Sequence, residues 1–474
     1  MFIPKYETKS EGRFAFGEKV CATANACLDN EAIKSFWRGF CRQGGELDIT
    51  QCDELCFTVG SAQKPSLNGS QYAVNIEKTG VCIVGDSEKS LIKGFMTLLD
   101  LIEVKALTDE KSVFEIGCGC FREKLPFEYM MVHFCIFPET ELWELERFIR
   151  VSAALKYSHI VLEFWGMLRY DCLKELGWSF AFSKEQIKPL IRMANDLGLE
   201  VIPMFNHWGH ASASRAMNGK HVVLDQNPRL QPLFSKDGWT WAIDKPEVQK
   251  LLSSVRRELI ELCGEGRFFH LGCDEAYNFE ITPENYTVLT DYLNGIADEL
   301  ALSGRRPLVW GDMLIARREG FNTNNRYTVS CRDIETEQKI LSALSRRIII
   351  ADWQYSASEA PVETALIFKT AGFDTLLCPW DGTYGRDSIA PCVNTAVQHS
   401  LFGVMQTTWN TLSIGMRDVS KAAFAAWCAK PGEELPSLTY FSVKSAETVR
   451  CAYPVNGDYE KAGWAKHQVA DILR

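Results

Sequence analysis

No stretch of the chain approaches the roughly 18–20 consecutive apolar residues of a membrane span. Met1 to Gly17 holds no apolar run of the kind a secretory leader uses. Basic residues are in deficit: 51 Lys and Arg stand against 61 Asp and Glu, a net charge of −10. Nucleic acid, whose phosphates demand a basic surface, is therefore not an expected partner, and neither is a membrane. Internal repeats and low-complexity tracts are missing too. Paired zinc-finger spacing is absent: neither Cys52 with Cys56 nor Cys118 with Cys120 is followed by the second pair such a site needs. The 17 cysteines are odd in number and scattered through apolar segments. That is the pattern of reduced thiols used as small hydrophobes, and it predicts a cytoplasmic protein.

What is present suits a folded chain with a large core. Apolar residues make up 46% and charged residues 24% of 474 positions, enough for a barrel of roughly 250–300 residues plus an extra domain. The first part reads as α+β: Leu67-Asn68-Gly69-Ser70 is a turn signal, Tyr72–Ile76 and Val81–Val84 alternate like strands, and Lys89–Val104 has helical periodicity. A charged, Pro-containing stretch at Glu123 to Phe127 marks a boundary. It predicts an α+β domain over 1–123 and a barrel with a helical tail over 124–474.

From there strands and helices alternate. The expected strands are Tyr129–Phe134, His159–Phe164, Leu199–Phe205, Phe268–Cys273, Pro307–Asp312, Ile348–Asp352, Asp374–Pro379 and Phe402–Thr408. Ser183 and Gln186 form a capping box at the start of one intervening helix, which stops at Gly198 and carries an awkward Pro189. Another begins at Thr282-Pro283, and the tail has helical patterns at Lys421–Ala429 and Asp458–Leu473. Eight units favour an α/β fold of the (β/α)8 TIM-barrel class preceded by the small α+β domain. In such a fold the chemistry lies at the C-terminal ends of the strands.

Those ends are rich in polar and aromatic residues. The fourth expected strand ends His270-Leu271-Gly272-Cys273-Asp274-Glu275. Two adjacent carboxylates oppose each other's ionisation, so one that stays charged leaves its neighbour able to donate a proton. The plainer alternative is a solvated loop or a pair of helix caps. On the third, Val201-Ile202-Pro203 leads to Asn206-His207-Trp208-Gly209-His210, where each histidine is as readily structural as functional. Trp310, Trp353, Tyr355, Trp380, Tyr384 and Trp409 recur at the ends of strands five to eight. One such ring would be core, but several at one rim can wall a pocket that stacks on a sugar.

His270-Leu271-Gly272-Cys273-Asp274-Glu275 resembles the His-x-Gly-x-Asp-Glu signature of glycoside hydrolase family 20. Val201-Ile202-Pro203 with Gly209-His210 is similar to that family's strand-three motif, and Tyr72–Val104 to the small domain that precedes its barrel. The resemblance implies an exo-acting, retaining β-N-acetylhexosaminidase whose substrate carries a terminal N-acetylhexosamine, with no cofactor and no metal. On it, Glu275 would protonate the glycosidic oxygen and Asp274 would hold the 2-acetamido N–H. The acetamido carbonyl then attacks C1 in place of an enzyme nucleophile.

Tyr384 or Tyr355 would meet the acetamide, and Trp353, Trp380 and Trp409 would enclose the sugar. His210, with Glu163 on strand two and His270, would support the acid. The family's strand-one arginine has no counterpart in Phe127–His133, and Asp312 is the expected replacement ligand for a sugar hydroxyl. That departure, with Phe182–Lys188 and Pro307–Leu314, is similar to the hexosaminidase D subgroup and implies a lean toward galactosaminides.

Two other readings stand beside this one. A zinc hydrolase would gather His207, His210, His270 and Asp274, although no His-x-His at strand one or His-Glu-x-x-His supports it. A sugar-binding barrel without turnover would suit the absent arginine but not the two carboxylates.

Overall fold

The computed structural model describes residues 7–41, 45–107, 112–212, 223–236, 238–276, 279–318, 331–381, 388–409, 412–428 and 433–452. Its first part contains strands β1 (Thr8–Phe16), β2 (Lys19–Asn25), β3 (Glu46–Cys52), β4 (Cys56–Gly60), β5 (Tyr72–Glu77), β6 (Gly80–Gly85), β7 (Glu103–Leu107) and β8 (Ser112–Glu123). They form one sheet in the order β1-β8-β5-β6-β4-β2-β3, with β7 also on β8. Helices α1 (Glu31–Phe40) and α2 (Glu88–Asp100) cover it. The expected turn is there: Asn68 and Gly69 take positive φ and Ser70 N–H donates to Leu67 O at 2.9 Å. The expected helix Lys89–Val104 is shorter, because Val104 is drawn into β7 by pairing with Phe114. Sheet pairing overrides the helical period there.

The second part is a closed barrel of eight parallel strands. They are β9 (Tyr129–Cys135), β10 (His159–Glu163), β11 (Glu200–Met204), β12 (Phe268–His270), β13 (Arg306–Trp310), β14 (Ile349–Gln354), β15 (Thr375–Pro379) and β16 (Gly403–Gln406), and β16 closes onto β9 at Gly403↔Tyr129. Nearly every strand residue is buried, as expected when helices cover the outside and side chains fill the inside. The helices are α3 (Leu142–Ala154), α4 (Lys184–Asp196), the short α5 (Val223–Gln226), α6 (Pro246–Cys263), α7 (Tyr286–Ala301), α8 (Ile334–Ala343), α9 (Glu363–Thr370), α10 (Ile389–Gln398), α11 (Leu412–Trp427) and α12 (Leu438–Ala452).

The Ser183–Gln186 capping box starts α4, and Gly198 follows its end at φ 79°. Pro189 does not break this helix, because its position faces solvent and water can satisfy the carbonyl it leaves without a partner. Helix α7 starts at Tyr286, later than expected. Thr282 and Asn285 cap a turn first: Thr282 N–H donates to Asn285 Oδ1 at 2.8 Å. The pattern at Lys421–Ala429 falls in α11 up to Trp427, while Ala429 and Asp458–Leu473 lie outside the described residues. No helix among the described residues is long and apolar enough to cross a membrane.

One continuous buried cluster runs from Val20 in the sheet to Ala452 in α12. A polar contact joins the two parts within it. Lys156 follows α3 with φ 63°; its ammonium donates to Glu123 (2.7 Å) and Tyr72 (3.0 Å) and lies 4.6 Å from the centre of the Trp427 ring. Both charges are almost wholly buried, so removing one strands the other. Lys156→Ala should therefore cost about 3–5 kcal/mol of stability, read as a lowered denaturation midpoint. A change under about 1 kcal/mol would show that water takes the ammonium's place.

Candidate active site

The C-terminal ends of β11, β12 and β13 build the centre. Strand β12 formally stops at His270, short of the expected Cys273, yet its pairing continues through single bonds. His207 N–H donates to Leu271 O (2.8 Å) and Trp310 N–H to Gly272 O (3.0 Å). The chain then turns through positive φ at Gly272 (65°), Cys273 (72°) and Glu275 (51°), and His210 opposite has φ 57°. Left-handed backbone costs about 1–3 kcal/mol at each non-glycine residue and persists only where surrounding contacts impose it.

Those contacts are visible. Asn206 Nδ2 donates to Asp274 Oδ1 at 3.2 Å, and Trp241 Nε1 holds the Asn206 carbonyl at 3.0 Å. Glu275 N–H donates to Asp312 Oδ2 at 2.9 Å, and its carbonyl accepts from Trp239 Nε1 at 2.7 Å. His210 Nε2 lies 3.2 Å from Asp274 Oδ2 and 3.2 Å from Glu275 Oε2, with its ring against Trp239 at 4.5 Å. The two neighbouring acids thus share one imidazole but differ in surroundings. The Asp274 side chain is 8% exposed and that of Glu275 25%.

Gly209 is part of this construction. A Cβ there would sit 1.9 Å from the Asp274 carbonyl oxygen, which is backbone and has no freedom to swing aside. Gly209→Ala should displace the Asp274-Glu275 turn and lower kcat about 100-fold or more, since displacements near 1 Å are enough for that. Steady-state kinetics beside a thermal melt checks it; wild-type turnover would mean that the close approach is not needed.

The expected site residues divide into three groups. Trp353, Tyr355, Trp380 and Trp409 form one aromatic wall: Trp353 is 5.0 Å from Tyr355, and Tyr355 meets Trp380 edge-on at 5.4 Å. Trp409 Nε1 donates to the Tyr355 hydroxyl at 2.6 Å. Burial raises the Tyr355 hydroxyl well above the ordinary tyrosine value, so it stays protonated. Tyr384 lies outside the described residues.

The second group sits lower than expected. Trp310 has no exposed surface; it lies beneath the wall, 4.4 Å from His270 and 6.1 Å from Trp409. Asp312 is also fully buried. Its second oxygen accepts from Trp353 Nε1 at 3.1 Å, so this carboxyl ties the aromatic wall to the Glu275 backbone. That contradicts its expected place as a sugar-hydroxyl ligand: with no exposed surface and both oxygens bonded to protein, it is a support. Burial first, and the charge of Asp274 next, push it well above the usual carboxylate range. Glu163, expected to support Glu275, pairs with His133 of β9 at 2.9 Å, both buried. Asp312 and Trp239 supply the bonds that hold Glu275.

The third group is structural. His207 lies against the Phe205 carbonyl at 2.6 Å and is fully buried, so it does not join a metal set. His270 accepts the Gly272 N–H on Nδ1 at 3.0 Å, which requires a neutral ring with its proton on Nε2. Burial, reinforced by His133, pushes His270 down to about 3.

Because that value lies below the ordinary 6.5 of an unfolded chain, the contribution of the neutral ring is complete above about pH 6.5 and declines toward pH 3. The slope is about 1.4 kcal/mol per pH unit for this one proton. Urea midpoints between pH 7 and pH 4.5 should fall less steeply for His270→Asn, whose amide oxygen can still accept from Gly272. Equal slopes would refute the assignment.

Among the described residues, one group of three has ligand atoms close enough to share a metal ion: His210, Asp274 and Glu275, all within 4.8 Å. Sequence reasoning missed Asn206, Trp239 and His133. Asn206 stood at a strand end and was legible in principle, whereas Trp239 lies in a loop after α5 with no local signal.

A model of the family described as glycosyl hydrolase family 20, catalytic domain, matches residues 161–410, which include these strand ends. The chain belongs to glycosyl hydrolase family 20. Among curated relatives it is 21% identical to a lacto-N-biosidase of Bifidobacterium bifidum over 329 residues, 65% of this chain and 26% of that protein. It is 25% identical to hexosaminidase D of Bos taurus over 240 residues, 47% of this chain and 62% of that one. The chain thus spans less than two thirds of either relative. Among solved structures, the exo β-N-acetylglucosaminidase of Vibrio harveyi in complex with N-acetylglucosamine aligns with a TM-score of 0.65 at 15% identity. The alignment covers 99% of this chain and 77% of that one. At that identity the likeness concerns the fold alone.

Proposed function

We propose that this family 20 protein is an exo-acting, retaining β-N-acetylhexosaminidase that uses its substrate's own acetamide as nucleophile. The observation that carries the reading is the Asp274–Glu275 pair, adjacent in sequence, unlike in exposure and bridged by His210 beside the aromatic wall.

In this reading Asp274, the less exposed acid and the one held by Asn206, accepts the acetamide N–H and orients its carbonyl oxygen toward C1. Glu275, the more open acid, gives its proton to the departing glycosidic oxygen. It then takes one from the water that opens the oxazolinium intermediate, which accounts for retention with no enzyme nucleophile. His210 lies within reach of both acids, where it offsets their mutual repulsion. Trp353, Trp380 and Trp409 supply apolar faces for the sugar and the acetamide methyl, and the Tyr355 hydroxyl is the donor on that wall.

The finer reading is a lean toward β-GalNAc over β-GlcNAc and kinship with hexosaminidase D. It rests on the stretch Phe127–His133, leading into β9, which holds no arginine where the resemblance implies one. A reducing, cytoplasmic setting is proposed on the seventeen cysteines, all free thiols in the structure.

The test is a set of aryl β-glycosides: GalNAc, GlcNAc, and a glucoside with a 2-hydroxyl in place of the acetamide. Turnover of the first two with no measurable turnover of the third is expected, because the third lacks the internal nucleophile. Comparable turnover of all three would overturn the mechanism, and a GlcNAc preference would overturn the lean.

A further inference from the structure

We propose that His210, Asp274 and Glu275 form an inhibitory binding site for one zinc ion. The family 20 reading enters only through the inhibition, because metal binding itself can be measured without turnover.

The geometry carries the proposal. Nitrogen and oxygen ligands of a tetrahedral zinc lie at about 2.0–2.2 Å, which places neighbouring ligand atoms about 3.3–3.5 Å apart. His210 Nε2 is 3.2 Å from Asp274 Oδ2 and 3.2 Å from Glu275 Oε2, and each of the three residues has a ligand atom within 4.8 Å of those of the other two. Two of the three separations are therefore already near the tetrahedral value. The ligands are also held before it arrives: Trp239 lies against the imidazole at 4.5 Å, and Asn206 donates to the other oxygen of Asp274. Such outer contacts orient ligands in metal sites. One imidazole with two carboxylates, one of them partly exposed, suits zinc. Magnesium and calcium prefer six or more oxygens.

Binding would exchange one interaction for another. Zinc takes the Nε2 lone pair of the neutral ring, which keeps its one proton on Nδ1; a proton competes for the same lone pair, so affinity falls as pH drops. The ion then occupies the oxygens proposed to grip the acetamide and to carry the transferable proton. Zinc and substrate therefore exclude each other.

The experiment has two arms on the full-length protein. In the first, Co2+ replaces Zn2+ as a spectroscopic probe, and isothermal titration follows Zn2+ itself. One equivalent is expected to produce the visible bands of a four-coordinate cobalt site, which Zn2+ abolishes. Affinity should fall at least tenfold in His210→Gln and in the near-isosteric Glu275→Gln, each first shown by its thermal melt to be folded. Binding that is absent, or equal in wild type and both variants, would overturn the site; the latter outcome would assign the metal to the thiols. In the second arm, Zn2+ should raise the apparent KM of the wild type for an aryl β-N-acetylhexosaminide, leave kcat unchanged and be reversed by a chelator. Activation by Zn2+ would overturn the inhibitory assignment. Intact cobalt bands in a protein without hexosaminidase activity would instead sink the hydrolase reading while leaving the metal site standing.

Discussion

Glu275→Gln is expected to lower kcat/KM about 10²–10⁴-fold on an N-acetylhexosaminide with an alkyl leaving group, the range attributed to a positioned general acid. On an activated aryl glycoside the loss should be much smaller, since a weakly basic phenolate departs with little protonation. The substitution is nearly isosteric, and the bonds that hold this position, from Asp312 to its N–H and from Trp239 to its carbonyl, are made by the backbone and survive the change. The turn should therefore stay in place, and the measurement isolates the proton. Equal losses on the two substrate classes would show that Glu275 acts by something other than proton donation.

Asp274→Asn is expected to lower kcat about 10²–10³-fold with little change in KM, comparable to removing one group aimed at developing charge. Asn206 can still donate to an amide oxygen at position 274. The other half of that amide would then turn two hydrogens toward His210 Nε2, where the carboxylate presents an acceptor 3.2 Å away. The positive charge that builds on the acetamide as it closes on C1 loses its counter-charge. Binding of the resting sugar loses only one hydrogen bond. A defect confined to KM would contradict the orienting role.

Support for the acids comes from three separate elements. Asn206 follows β11, Trp239 comes from the loop after α5, and Asp312 follows β13. Each makes one hydrogen bond to residue 274 or 275. Variants at these positions should show in kcat before they show in substrate affinity, because the proposed chemistry depends on two acids being held in a strained turn.

How much of this was legible in the chain follows from where each signal resides. Period-two and period-3.6 patterns are local, so all eight barrel strands, the Ser183–Gln186 cap and the Leu67–Ser70 turn could be read directly. Lys89–Val104 was misread at its end because Phe114 of β8, ten residues downstream, recruits Val104. Trp310 and Asp312 were placed on the pocket surface because strand ends are where pockets form. Strand alternation at β13, however, turns Trp310 inward onto His270, and the 3-10 turn that follows buries Asp312. Glu163 was expected to support Glu275 only through the family resemblance, and the structure shows His133 of the neighbouring strand β9 at 2.9 Å from it.

The sequence alone determined the barrel, the rim on which the site lies, and the pair Asp274-Glu275, because each is encoded in residues adjacent or regularly spaced along the chain. Only the tertiary structure decided which groups surround that pair: His210 between the two acids, Asn206 on one, and Asp312 and Trp239 on the other. The physical reason is distance along the chain. Hydrogen bonds between loops 35 to 70 residues apart depend on how the strands close into a ring, and no local pattern records that closure.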